Sequence, residues 1–124
     1  MTKPWRVLVV DDDADIRALL RDILRQEGYE VSEATDGADA VLALRASAYD
    51  VVLLDKNMPG PSGLDLLPGF RRVWPQCRFI MMTAFGDIAS YVDAMEKGAV
   101  EFVFKPFRLE EMTTAVAKAV AATC

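Results

Sequence analysis

The sequence predicts an α/β fold, five parallel strands in one doubly wound sheet with helices on both faces. Three observations carry this. Short apolar runs alternate five times with segments of helical periodicity, as repeated strand–helix crossovers require. Two of those runs, Val7-Leu8-Val9-Val10 and Val51-Val52-Leu53-Leu54, are apolar throughout, the mark of strands buried between helical layers. Each then delivers acid at its carboxyl end, Asp11-Asp12-Asp13 in one case and Asp55 in the other.

The first strand is read at 5–10, and the helix after it at about 14–27. There Ile16, Leu19, Leu20, Ile23 and Leu24 form the stripe of a core-facing helix, and Gly28 stops it. The second strand is expected at 30–34 and its helix at 37–47, capped by Asp36. The third strand, 50–54, leads to a helix at 63–73 with Pro68-Gly69 inside it. Pro68 removes the bond to the Leu64 carbonyl, so this helix is expected to bend or to begin late. The fourth strand, 78–82, precedes a helix at 87–97 with Asp87 as N-cap and Gly98 as its end. The fifth strand, 100–104, precedes a helix at 109–122, with Glu110-Glu111 in the first turn, where the macrodipole favours acid.

With 124 residues, 52% hydrophobic and 27% charged, the chain suits one domain, 1–124, with a single good core. A net charge of −5 argues against direct nucleic-acid binding. No apolar stretch approaches the ~20 residues of a membrane span, and Met1-Thr2-Lys3-Pro4-Trp5 has no signal-peptide pattern. Cys77 and Cys124 lack metal-ligand spacing, and there is no histidine. The expectation is a reduced, cytoplasmic protein with two free thiols. Absence of histidine also removes triad hydrolases and most zinc catalysis.

Right-handed crossovers leave few topologies. The common order at this size is the flavodoxin-like 2-1-3-4-5, with ligands bound outside the strand carboxyl ends at the switch between strands 1 and 3. Asp11, Asp12 and Asp55 fall at that point, Thr83 follows strand 4, and Lys105-Pro106 follows strand 5. Asp13 is equally well explained as a helix cap. Clustered carboxylates repel, so something cationic belongs between them. An oxygen-only donor set suits Mg²⁺ before Zn²⁺. Asp55 is then a potential nucleophile of the aspartyl-phosphate type. The Lys105 ammonium and Thr83 hydroxyl are groups that phosphoryl transfer would use.

Four stretches carry a resemblance: Val9-Val10-Asp11-Asp12-Asp13, Leu53-Leu54-Asp55-Lys56-Asn57-Met58-Pro59-Gly60, Met82-Thr83-Ala84 and Phe104-Lys105-Pro106-Phe107. In this order and spacing the chain resembles the receiver domain of two-component response regulators over essentially its whole length. The stretch Thr83-Ala84-Phe85-Gly86-Asp87 is similar to receivers of nitrogen-regulatory type. The resemblance implies that Asp55 takes a phosphoryl group from the phosphohistidine of a kinase or a histidine phosphotransfer protein. It implies direct Mg²⁺ binding by Asp12, water-mediated binding by Asp11, and the Asn57 carbonyl as a further ligand. Lys105 would hold one phosphoryl oxygen and Thr83 would move in to bond another, with Phe102 as the aromatic that follows Thr83. Such a domain promotes its own phosphorylation without being a turnover enzyme. Its output face would be helix 4, strand 5 and helix 5, with Tyr91 and Phe104 as contacts to an output domain or partner protein. Plain core packing explains Phe102 equally well, and ordinary packing is the leading explanation of Tyr91 and Phe104.

Some positions depart from the family pattern. Ser62 stands where the family often has an acid, Pro68-Gly69 is uncommon in the third helix, and Lys56 adds a cation beside Asp55, with pairing to a neighbouring carboxylate and a solvent-facing side chain as its two explanations, the second leading. Arg17, Arg21 and Arg25 recur every four residues opposite the apolar stripe of the first helix. A solvated face is the leading explanation, and docking of the phosphoryl donor is the other. Rival functions are an aspartate-nucleophile phosphatase of haloacid dehalogenase type, a flavin-binding module and a receiver-like module without phosphorylation. The first has Asp15 in place of its expected Thr or Val and no room for a cap domain. The second lacks the Ser/Thr/Gly-rich loop needed after strand 1. The third has little support while every required acid, Thr83 and Lys105 are present.

Overall fold

The computed structural model describes residues 4–84 and 87–121. Its elements alternate strictly: β1 Arg6–Val10, α1 Ala14–Gln26, β2 Glu30–Ala34, α2 Gly37–Ala46, β3 Val51–Asp55, α3 Gly63–Val73, β4 Arg78–Ala84, α4 Ile88–Glu96, β5 Glu101–Lys105 and α5 Leu109–Ala121. The sheet is parallel, in the order β2-β1-β3-β4-β5, which is the expected flavodoxin-like topology.

Alternation along the strands divides the core. Val7, Val9, Val51, Leu53, Ile80 and Met82 face α1 and α5, where they meet Leu20, Leu24, Met112 and Val116. Leu8, Val10, Val52, Leu54, Phe79 and Met81 face the other way, against Ala40, Leu44, Leu64, Leu67, Phe70 and Ala94 of α2, α3 and α4. β1 and β3 lie at the centre, so their apolar runs are buried on both faces.

Most ends differ from the sequence reading by a residue or so, and two differences matter. β3 includes Asp55, and β4 continues through Thr83 to Ala84 because β5 runs alongside it, Thr83 facing Phe104 and Ala84 facing Lys105. The site residues therefore sit on rigid strand ends and not in the loops beyond. The end of the last helix at 122 lies outside the described residues.

α3 does not begin late. Ser62 caps it with a reciprocal box, its hydroxyl accepting from Asp65 N while Asp65 accepts from Ser62 N, and the helix continues past Pro68. The carbonyl that Pro68 leaves unpaired, that of Leu64, accepts from Lys97 Nζ at 3.4 Å. A side chain from the end of α4 thus takes the place of the missing backbone donor. Gly28 and Gly98 end α1 and α4 at φ +94° and +101°, the left-handed conformation of helix-terminating glycine.

Candidate functional site: an acidic corner at the sheet switch point

β1 and β3 are neighbours, Val10 opposite Leu54, so Asp11 and Asp55 emerge side by side. Both are buried, at 0% and 2% exposure, while Asp12 is exposed. Ligand oxygens of Asp11, Asp12 and Asp55 all lie within 4.8 Å of one another. Lys105, at the end of β5, reaches across the corner. Its Nζ donates to Asp11 Oδ2 at 2.8 Å and to Asp55 Oδ1 at 3.2 Å. Asp11, Asp12, Asp13, Asp55, Asn57 and Lys105 line one open cavity of about 490 Å³. The Lys105–Pro106 peptide is cis.

Burial, together with the charge of Asp11, pushes the Asp55 carboxyl up to about 6, although Lys105 and the backbone of Asn57 pull it down. Burial opposes the charge on Lys105, but its bonds to Asp11 and Asp55 outweigh this and raise its pKa. Three carboxylates facing one ammonium leave the corner negative. A hard divalent cation with oxygen ligands fits that donor set, whereas a soft metal would want sulfur or imidazole.

Local bonds hold the acids in place. Asp13 caps α1, accepting from Asp15 N and Ile16 N at 2.9 and 3.3 Å. Asp11 Oδ1 accepts from Asp13 N at 2.9 Å, which leaves Oδ2 to Lys105. Thr83 does not line the cavity; it is fully buried at the same strand edge. Its hydroxyl has no hydrogen-bond partner among the described residues, an unusual state for a buried polar group.

One contributor escaped the sequence reading, and two others found partners that it did not identify. Gly63, the first residue of α3, packs so closely on β3 that a Cβ there would collide with the Asp55 carbonyl oxygen. A glycine directly after a helix cap was the available signal. Lys56 takes a carboxylate partner, the less favoured of its two expected arrangements. Its Nζ donates to Asp87 Oδ2 at 2.6 Å, because the carboxyl end of β3 and the start of α4 adjoin at this edge. Nor is the arginine row of α1 a free solvated face. Arg17 donates to the Asp11 carbonyl at 2.7 Å, Arg25 to the Val31 carbonyl at 3.2 Å, and Arg21 pairs with Asp22 and Glu33. These arginines tie α1 to β2 and to the acidic loop. Tyr91, Phe102 and Phe104 form a chain of ring contacts at 5.5 and 5.0 Å between centroids.

Sheet order and acidic corner together define the class, an α/β domain with a cation-demanding site at its switch point. Comparison with known proteins narrows this. Residues 7–117 match the response regulator receiver domain, and the chain belongs to that family of two-component signalling domains. It is 37% identical to the chemotaxis protein CheY of Thermotoga maritima, over 91% of this chain and 95% of that protein. The receiver domain of NtrX from Brucella abortus superposes with a TM-score of 0.88 at 34% identity, covering 93% of this chain and 98% of that one. The beryllofluoride-activated NtrC4 receiver domain dimer gives 0.90 at 32% identity, covering 96% and 98%. The expected likeness to nitrogen-regulatory receivers is therefore present, and the phosphatase alternative is not favoured. No described helix is long and apolar enough to cross a membrane.

Proposed function

We propose that Asp55 is the phosphoacceptor, fed by the phosphohistidine of a kinase or phosphotransfer protein, and that residues 1–124 act as one cytoplasmic receiver unit. The observation that carries this reading is the buried Asp55 carboxylate sharing the Lys105 ammonium with Asp11. Asp12, Asp55 and the Asn57 carbonyl would hold Mg²⁺, with Asp11 acting mainly through water. When bound, Mg²⁺ supplies positive charge against the equatorial phosphoryl oxygens and favours the ionised form of Asp55.

An Asp55 carboxylate oxygen forms the bond to phosphorus as the phosphorus–nitrogen bond of the donor breaks, the electron pair staying with the imidazole. Lys105 already touches Asp55 and turns to a phosphoryl oxygen; Thr83 brings its idle hydroxyl to another. The new group adds about −1.5 to −2 charge. Moving a two-state equilibrium from 1:99 to 99:1 takes roughly 5.5 kcal/mol. Two or three charge-assisted bonds at ~1.5–3 kcal/mol each are of that order. Residues 83–87 and α4 would carry the change to the α4–β5–α5 face, where Tyr91 and Phe104 would meet an output domain or partner. The domain itself binds no nucleic acid and turns over no substrate.

The test is labelling with acetyl phosphate. Asp55→Asn should abolish acid-labile phosphate, and Asp12→Ala should abolish the Mg²⁺ dependence of labelling. Wild-type labelling in Asp55→Asn would refute the assignment.

A further inference from the structure

We infer that the Lys56–Asp87 ion pair is a latch that holds α4 in its resting position and that phosphorylation must open. The inference rests on the phosphoacceptor reading and adds a device that the reading does not require.

One carboxylate serves three donors. Asp87 Oδ2 accepts from Lys56 Nζ and Ser90 Oγ, both at 2.6 Å, and Oδ1 accepts from Ser90 N at 3.1 Å. Asp87 is therefore both the N-cap of α4 and the point where that helix is tied to β3. The other end of the tie is fixed. Lys56 N donates to the Met82 carbonyl at 2.8 Å, and the Lys56 carbonyl accepts from Gly63 N at 3.0 Å. The residue next to the phosphoacceptor is thus pinned between β4 and α3 while its ammonium reaches out to α4.

Besides this pair, α4 is held by Ala94 in the core, by the Tyr91 ring on Phe102 and by Lys97 on the Leu64 carbonyl. Ser90 and Ala94 are the buried residues of α4, and Ser90 belongs to the latch. Asp87 also lies four residues beyond Thr83. The pair exists only while Asp87 stays within reach of Lys56. It therefore biases the equilibrium toward the resting arrangement and must be lost, or remade elsewhere, in the switched one.

The test uses the full chain, with beryllofluoride and Mg²⁺ as the probe and amide NMR resonances of α4 as the readout. Asp87→Asn keeps a competent N-cap but removes the ion pair; Lys56→Met removes it from the other side; Lys56→Arg keeps it. In the first two variants the resting resonances should move toward their beryllofluoride positions. Loss of a bond worth about one kcal/mol would raise the switched population about fivefold. The half-saturating beryllofluoride concentration should fall by the same factor, and Lys56→Arg should stay near wild type. Loss of the Lys56 charge by itself would weaken anion binding, so a fall in both variants cannot come from charge alone. Wild-type resonances and midpoints in both variants would overturn the latch, as would shifts of opposite sign in the two. A wild-type protein that ignores beryllofluoride would instead refute the phosphoacceptor reading, and the latch with it.

Discussion

α4 and α5 flank the same strand, β5, and are held to the sheet by different forces. α5 buries Met112, Ala115, Val116, Ala119 and Val120 against the face formed by Val9, Leu53 and Met82. α4 leaves Ile88 at 64% and Val92 at 50% exposure. Apart from the small buried Ala94 and the Tyr91 ring on Phe102, its attachments are polar: Lys56 on Asp87 at one end, Lys97 on the Leu64 carbonyl at the other. A buried large side chain contributes about 1.5–3 kcal/mol. A typical hydrogen bond contributes only about 0.5–1.5 net, because water can replace it. Moving α5 would expose a core, whereas moving α4 exchanges a few polar contacts. The energy of one phosphoryl group suffices for the second and not for the first.

The contrast breaks most plainly under truncation. Met112→Ala should cost about 2–5 kcal/mol, read as a lower urea midpoint, while Ile88→Ser should stay within about 0.5 kcal/mol of wild type. Equal losses would mean that α4 is anchored as firmly as α5.

The acidic corner at the ends of β1 and β3 gives a pH-dependent test with metal chelated. Asp55 has a folded pKa of about 6 against an ordinary 3.8, so its favourable contribution is fully present below about pH 4 and lost as pH rises through about 6. Asp55→Asn should therefore stabilise the metal-free protein at pH 8, by on the order of 3 kcal/mol. The gain should shrink as pH falls from 6 to 4. Mg²⁺ bound as proposed would stabilise the wild type by about 2.7 kcal/mol at a hundred times its Kd and should offset most of that gain. A pH-independent difference would mean that Asp55 is ionised throughout.

A smaller effect sharpens the account of the far end of α4. Lys97→Met should cost about 0.5–1.5 kcal/mol by leaving the Leu64 carbonyl unpaired. In a Pro68→Ala background the restored N–H can take that carbonyl, and the cost should shrink. Full additivity in this double-mutant cycle would show that the two residues do not share the acceptor. Finally, amides of α4 should exchange hydrogen faster than those of α5.

The fivefold strand–helix alternation, the central position of β1 and β3 and the acidic residues at their ends were legible in the chain itself. Those signals are local: a period of two in a strand, 3.6 in a helix, and a short list of residues that cap or stop them. Asp11, Asp12, Asp55 and Lys105 could be assigned to one corner because topology rules bring strand ends together whatever the side chains are. The same local rules placed Asp36, Asp87 and Asp13 as caps, and each is one.

What local pattern could not determine is which partner a polar group finds. Lys56 and Asp87 are separated by 31 positions and Lys97 from Leu64 by 33. Nothing in either neighbourhood marks them as pairs. The reach of Arg17 to the Asp11 carbonyl, the close approach of Gly63 to Asp55 and the idle hydroxyl of Thr83 belong to the same kind. Hydrophobic burial is non-directional, so a pattern of apolar residues suffices to specify the layers. Hydrogen bonds and ion pairs depend on distance and angle to a few tenths of an ångström, and those are set only once the packed sheet and helices bring distant strand ends and helix starts together.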